Sequence, residues 1–159
     1  MSTRSKAGRA IGSTLLNIAA LGGFICIILV ILAFFFNITL IMFKTGSMSP
    51  TIPTGSLAVV REIPASDIAV GDVLTVDRAG KLPVTHRVTS VTGKGDARTI
   101  TMRGDANEAE DPSPYTLTEA RRVLVSVPGL ARVVVWFSNP IVLGGITIAA
   151  SVLVTWAFW

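Results

Sequence analysis

The chain has 159 residues, of which half are hydrophobic and 15% are charged, and its net charge is +4. A soluble domain of this length would be more polar, so the composition indicates a membrane protein. The basic residues are scattered, which argues against nucleic acid as a partner. The single cysteine excludes an intramolecular disulfide, and one cysteine with one histidine argues against a zinc site of the usual ligand set.

The first predicted element is a membrane-spanning helix. No charged residue occurs between Ile11 and Phe43, and this run exceeds the roughly 20 residues that cross the hydrocarbon core of a bilayer. It is also longer than the apolar region of a cleaved signal peptide, so we interpret residues 14–43 as an uncleaved anchor. The preceding tail, residues 1–13, carries Arg4, Lys6 and Arg9, which predicts that the N-terminus lies in the cytoplasm.

Residues 44–139 are predicted to form a small extracytoplasmic β-rich domain. Short β-type runs are separated by glycine-containing turns, and they occur at Leu57–Arg61, Asp72–Asp77, Val84–Val91, Arg98–Arg103 and Arg122–Val127. This pattern is typical of a small antiparallel sheet or a partly closed barrel.

The end of the chain is apolar again. Leu130–Phe137 is predicted to lie against the membrane surface, and residues 140–159 carry no charge and are predicted to form a second spanning helix that returns the chain to the cytoplasm. The predicted fold is therefore a mainly β domain flanked by two transmembrane α-helices.

A candidate nucleophile follows the first apolar run. Ser47 lies between Gly46 and Met48 and is followed by Pro50 and Pro53. The glycine permits close backbone approach and the prolines stiffen the chain. A turn serine at a membrane exit would need no further explanation, and a serine hydroxyl is a poor nucleophile without a base, so a catalytic role requires a partner.

The candidate base is His86, the only histidine of the chain, in the middle of a predicted strand. Histidine is the side chain best suited to accept a hydroxyl proton near neutral pH, although a strand histidine without a task is the simpler interpretation. Lys81 and Lys94 are alternative bases by residue type, but both lie in glycine-rich turns, where an exposed ammonium group stays protonated.

An acidic loop, Gly104–Pro114, supplies the candidate acids Asp105 and Asp111. One carboxylate could orient His86 and stabilise its protonated form. Ordinary turn chemistry would also favour such a sequence. A calcium-binding loop is a further alternative, because Asp105, Asn107 and Asp111 stand at alternate positions, but Ala109 occupies a ligand position.

Together these motifs resemble those of type I signal peptidases, in the Ser-His subtype typical of the endoplasmic reticulum, archaea and some Gram-positive bacteria. The resemblance covers nearly the whole chain, and its motifs are Gly46–Thr51, Gly71–Leu74, His86–Val88 and Gly104–Asn107 with Asp111 six residues after Asp105. The other bacterial subtype carries a lysine in place of His86. One departure is Ala106, where the family usually has asparagine.

The resemblance implies a membrane-anchored serine endopeptidase that removes N-terminal signal peptides from exported preproteins and cuts after small residues, without a cofactor. Ser47 would be the nucleophile and His86 the base. Asp111 would be the third catalytic residue and Asp105 a supporting one. The Ser47 N–H and the Thr45 hydroxyl are the expected donors to the oxyanion.

The resemblance also implies the setting of the reaction. The expected partners are signal-peptide-bearing preproteins and the lipid bilayer, with the active site on the extracytoplasmic face of a multi-pass cell-membrane protein. We expect a single-subunit enzyme, because all the site residues lie in one chain. The alternatives are a non-catalytic membrane-anchored β domain that acts as a receptor or adaptor, and a membrane serine protease for a different set of pro-proteins.

Overall fold

A computed structural model describes residues 6–158 of the chain. Arg4, which belongs to the predicted basic tail, lies outside the described residues, as does Trp159 of the predicted second span. The chain divides into two compact units. The β unit comprises Phe35–Val133, and the helical unit comprises the described residues on either side of it.

The elements follow in chain order as α1 (Lys6–Phe35), β1 (Ile38–Met42), β2 (Leu57–Pro64), a 3-10 turn (Ala65–Asp67), β3 (Val73–Arg78), β4 (Lys81–Thr92), β5 (Arg98–Arg103), β6 (Tyr115–Leu117), β7 (Glu119–Val127), α2 (Leu130–Phe137) and α3 (Pro140–Phe158). The strands form one antiparallel sheet of seven, in the order β1-β2-β7-β3-β4-β5-β6. The prediction of a mainly antiparallel β domain is confirmed.

Two apolar clusters stabilise the β unit. The larger consists of Ile63, Ala65, Ile68, Leu74, Val76, Val88, Ile100, Met102 and Ala120. The smaller consists of Phe43, Met48, Ile52, Ala58 and Val60. β5 contributes alternate residues, Ile100 and Met102, to the larger cluster, as expected of a strand with one buried face.

The sequence-based helix over residues 14–43 is too long at its C-terminal end. α1 ends at Phe35, and Asn37 has a φ of 50°, in the left-handed region that ends helices. Ile38–Met42 then forms β1, which pairs with β2 from Ile38–Arg61 to Met42–Leu57. A continuous apolar run does not by itself distinguish a helix from a strand, so hydropathy does not separate β1 from α1.

Among the described residues, α1 is the helix that is long and apolar enough to cross a membrane, over the 25 residues Ile11–Phe35. The second predicted span is not clearly supported. Helices α2 and α3 reach the length and apolar composition of a membrane span only when they are counted together. They are bent by 67° at the break between them. The break has a local cause, because the Asn139 side chain caps α3 at the Ile141 N–H (2.9 Å) and Pro140 occupies the first helical position.

Candidate active site

Ser47 lies in the loop between β1 and β2, which we call the Ser47 loop (Phe43–Ser56). Met48 anchors this loop, since its side chain is fully buried with Phe43 and Ile52 in the smaller cluster. Backbone hydrogen bonds from Ser49 N–H to the Gly46 carbonyl (2.9 Å) and from Ile52 N–H to the Met48 carbonyl (2.8 Å) fix the turn. Ser47 itself is half-buried. The serine is therefore held on a packed turn.

His86 reaches Ser47 from β4. Its cross-strand partner on β3 is Leu74. Both His86 and Val88 lie on the buried side of β4. His86 is only 7% exposed, in contrast to the half-exposed position that a strand histidine without a task would have. Its Nε2 atom lies 3.2 Å from the Ser47 Oγ. Two residues that are 39 positions apart in the sequence thus meet within hydrogen-bonding distance.

Asp111 contacts the other ring nitrogen of His86, so that Ser47, His86 and Asp111 form a chain of contacts. Its Oδ1 atom lies 2.7 Å from His86 Nδ1, and its own N–H donates to the Met102 carbonyl of β5 (2.9 Å). When Asp111 is ionised, its carboxylate can only accept, which assigns the donor role to Nδ1 and leaves Nε2 to accept the Ser47 hydroxyl hydrogen. This arrangement has the geometry of a nucleophile, a base and an orienting acid.

Asp105 has a different partner, because both of its oxygens accept hydrogen bonds from Arg87, from Nε at 2.8 Å and from Nη2 at 2.7 Å. Arg87 also donates from Nη1 to the Gly71 carbonyl (2.9 Å). The hydrogen bonds from Arg87 lower the pKa of Asp105, burial opposes them, and a hydrogen bond with Thr51 adds to the lowering. The two aspartates are therefore separated, with Asp111 at His86 and Asp105 in an ion pair that ties the acidic loop to β4.

The acidic loop also contacts the backbone of Ser47. The Ala106 N–H donates to the Ser47 carbonyl oxygen at 2.9 Å. Gly104 is buried beside the same oxygen, and a Cβ at this position would lie 2.6 Å from it. Only glycine fits here. The departure at Ala106 leaves this contact in place, because the backbone makes it and the side chain is exposed.

Thr45, the expected second oxyanion donor, lies exposed in the bend that precedes Ser47. Lys81 and Lys94 are also exposed, at the start of β4 and in the β4–β5 turn. In the hydrogen bonds of the described residues, Ser47 Oγ has His86 as its partner and neither lysine. No group of three or more His, Cys, Asp or Glu side chains in residues 6–158 is arranged to hold a metal ion.

Two contacts of the site were not identified from the sequence, one made by Tyr115 and one by Gly104, the first residue of the acidic motif. Tyr115 donates a hydrogen bond to the second oxygen of Asp111, Oδ2, at 2.9 Å, and Gly104 admits the Ser47 backbone. Tyr115 is the only tyrosine of the chain, but its spacing from Asp111 does not predict a contact, since two prolines interrupt the segment between them.

Comparison with known proteins finds relatives that are named as signal peptidases, in agreement with the motifs. The chain is 38% identical over 82 residues to Signal peptidase I W of Bacillus subtilis (strain 168), a match that covers 51% of this chain and 43% of that protein. It is 33% and 31% identical to the Signal peptidase complex catalytic subunits SEC11 of Metarhizium robertsii and Metarhizium acridum, each over 48% of this chain and 45% of the relative. The matched region thus spans less than half the length of these relatives, and no family model matches the chain. The resemblance to signal peptidases of the Ser-His subtype is confirmed over about half of the chain, whereas the motifs had suggested that it covers nearly all of it.

Proposed function

We propose that the chain is a membrane-anchored serine endopeptidase that removes N-terminal signal peptides from exported preproteins. The observation that carries the proposal is the unbroken line of contacts from Ser47 Oγ through His86 to Asp111, at 3.2 Å and 2.7 Å. The names of the relatives support the reaction class, since each is a signal peptidase or the catalytic subunit of one.

In the first half of the reaction, Ser47 Oγ attacks the carbonyl carbon of the scissile peptide bond. His86 Nε2 takes the hydroxyl proton as the new C–O bond forms, and Asp111 stabilises the positive charge that develops on the imidazole. When the tetrahedral intermediate collapses, the C–N bond breaks and His86 returns the proton to the leaving amine. The product is an ester between Ser47 and the signal peptide.

In the second half, water attacks the ester and His86 acts as a base again. The released proton returns to Ser47 as the C–O bond to the enzyme breaks, which regenerates the free hydroxyl. The same histidine contact therefore serves both halves of the reaction.

The negative oxygen of each tetrahedral intermediate requires hydrogen-bond donors. The Ser47 N–H and the Thr45 hydroxyl are the proposed donors. Burial of Met48 supports this role, because the packed side chain fixes the backbone around the Ser47 N–H before substrate arrives. Preorganised donors stabilise developing charge more effectively than donors that must first reorient.

The membrane anchor confines enzyme and substrate to the same surface. In this proposal α1 spans the bilayer, its N-terminal end is cytoplasmic and the β unit lies outside, while α2 lies against the membrane surface and α3 crosses the bilayer a second time. A preprotein held by its signal peptide in the same membrane then meets the enzyme at a raised effective concentration. The substrate binds as an extended strand, with small residues at the first and third positions before the cut.

We further propose that this chain acts alone, because Ser47, His86 and Asp111 all belong to it. The two SEC11 relatives are named as subunits of a complex. The purified chain is therefore the right sample for a first assay, since activity without added subunits distinguishes the two cases.

The test is cleavage of a labelled preprotein by the full chain in liposomes. We expect Ser47→Ala and His86→Ala to lose at least about a thousandfold in rate, and Asp111→Asn to lose far more than Asp105→Asn. The matched control is Ser113→Ala, at an exposed serine of the acidic loop, which should cleave as the wild type does.

The alternatives give other results. A receptor or adaptor would cleave nothing, and its function would survive the loss of Ser47. A protease for other pro-proteins would leave the signal peptide intact and process a different precursor, with the same dependence on Ser47. Full activity of Ser47→Ala would refute the proposal.

A further inference from the structure

Tyr115 contacts Asp111, the last residue in the chain of contacts from Ser47 through His86. Its hydroxyl donates to Asp111 Oδ2 at 2.9 Å, while Asp111 Oδ1 lies 2.7 Å from His86 Nδ1. Each oxygen of the carboxylate thus has its own partner. A carboxylate held at one oxygen can still turn about its terminal bond, whereas one held at both oxygens keeps a single orientation.

The sheet fixes the position of the Tyr115 hydroxyl. β6 is only three residues long and pairs with β5, so that Tyr115 lies opposite the fully buried Ile100. The tyrosine ring packs against the larger apolar cluster. Since β5 also pairs with β4, the strand that carries His86, adjacent strands set the spacing between the phenol and the imidazole.

We propose that Tyr115 is a positioning residue that holds the Asp111 carboxylate in the orientation in which its other oxygen accepts from His86. This inference rests on the proposed peptidase function, because it assigns Tyr115 a role in the same site. The hydroxyl acts only as a donor to Asp111 and favours the ionised carboxylate, which in turn stabilises the imidazolium formed when Ser47 loses its proton.

The electrostatics of Tyr115 agree with a donor role. Burial raises the pKa of the phenol, and the hydrogen bond to Asp111 and the charge of that carboxylate raise it further, against a smaller opposing effect of Arg78. A raised pKa keeps the hydroxyl protonated through the neutral and mildly alkaline range. The donor to Asp111 is therefore present throughout this range.

The competing explanation is that the ring of Tyr115 only fills space. Tyr115→Phe separates the two roles, because phenylalanine keeps the ring and removes the donor. Thr116→Val is the matched control on the same strand. It removes a hydroxyl that bonds Thr99 at 2.9 Å and does not touch Asp111.

The composition of the chain makes the readout specific, since His86 is the only histidine and Tyr115 the only tyrosine. Histidine labelling with nitrogen-15 in the full chain in detergent micelles gives the imidazole signals of one residue. We expect a downfield His86 Nδ1–H proton resonance in the wild type and in Thr116→Val. In Tyr115→Phe we expect this resonance to move upfield and to exchange with solvent at least several-fold faster.

Peptidase kinetics supply the second readout. A hydrogen bond to a charged group is strong enough that its loss changes an equilibrium about tenfold or more, so we expect kcat of Tyr115→Phe to fall roughly tenfold. KM should stay within about twofold, because the phenol acts through Asp111 and not on substrate. An unchanged His86 resonance with an unchanged kcat would overturn the inference, even if the variant were less stable.

Should Tyr115→Phe fail to fold, incorporation of 3-fluorotyrosine tests the same contact at the single tyrosine. The fluorinated phenol is more acidic but nearly the same shape, so a displaced His86 Nδ1–H resonance supports the inference and an unmoved one overturns it. The resonance needs no substrate. A wild-type chain that cleaves no preprotein would refute the proposed function, while the His86 signal would still decide whether Tyr115 positions Asp111.

Discussion

Substitution of Gly104 by alanine should reduce activity through the Ser47 backbone. A Cβ at Gly104 would lie 2.6 Å from the Ser47 carbonyl oxygen and 2.8 Å from the Asn107 amide nitrogen, whereas ordinary contacts begin at 3.4 Å. The first neighbour is backbone and cannot rotate away. The Ser47 loop and the acidic loop must therefore separate by about 0.8 Å if a normal contact is to be restored, a distance that follows from the van der Waals limit.

A displacement of this size is large for the site. The Ser47 Oγ and His86 Nε2 atoms are already 3.2 Å apart, and a further separation of about 0.8 Å exceeds the range of a hydrogen bond. Misplacement of a reacting group by about 1 Å can cost on the order of a hundredfold in rate. Overpacking also destabilises a fold by about 1–3 kcal/mol. We expect Gly104→Ala to fold with reduced stability and to lose about a hundredfold in kcat.

Preprotein cleavage in liposomes and denaturant unfolding measure the two effects. Gly144→Ala is the control, because a Cβ there meets nothing within 4 Å and alanine is a better helix former than glycine. Wild-type kinetics and wild-type stability in Gly104→Ala would refute the reasoning, since they would mean that the two loops are not in contact at this point.

Further expectations concern packing and charge. Met48→Ala should lower the free energy of unfolding by about 2–5 kcal/mol, because Met48 is fully buried. The control Met42→Ala should lower it much less, because Met42 is 40% exposed. Equal losses in the two variants would contradict the anchoring role of Met48. The pKa of Asp105 lies below its ordinary value because of its arginine partner. The ion pair therefore stabilises the folded protein above about pH 4, and this contribution is lost as the pH falls further and Asp105 takes up a proton. Asp105→Asn should make the melting temperature less sensitive to acid, and an unchanged dependence would contradict this. The raised pKa of Tyr115 depends partly on Asp111, so phenolate absorbance should titrate at lower pH in Asp111→Asn, and an unmoved titration would exclude the contact.

Five of the seven strands, β2 to β5 and β7, and the candidate nucleophile could be predicted because their signals are local. Alternating apolar residues and glycine-containing turns mark strands within a few positions. The histidine is unique in the chain, and the two lysines that could replace it as a base lie in glycine-rich turns. The contact between Asp111 and His86 could not be predicted from local signals, since the two residues are 25 positions apart in the sequence. The pairing of β4 with β5 and the hydrogen bond from the Asp111 N–H to the Met102 carbonyl of β5 together bring that aspartate to the histidine.

Other features have no local signal. Asp105 and Asp111 lie in one acidic loop, and the choice between them depends on where Arg87 points. The strand β1 is as apolar as the helix before it, so hydropathy assigned both to one span. Tyr115 contributes to the site through a strand of three residues, which is too short for a periodic pattern. In each case the deciding interaction is long-range.

The most direct test of the central claim is the single-turnover rate of preprotein cleavage by the purified Ser47→Ala chain in liposomes, with enzyme in excess and the products identified by mass. We expect the wild type to release the signal peptide and the variant to be slower by at least about a thousandfold, with an unchanged circular dichroism spectrum. Cleavage at the same bond and at the wild-type rate by Ser47→Ala would contradict the assignment of Ser47 as the nucleophile.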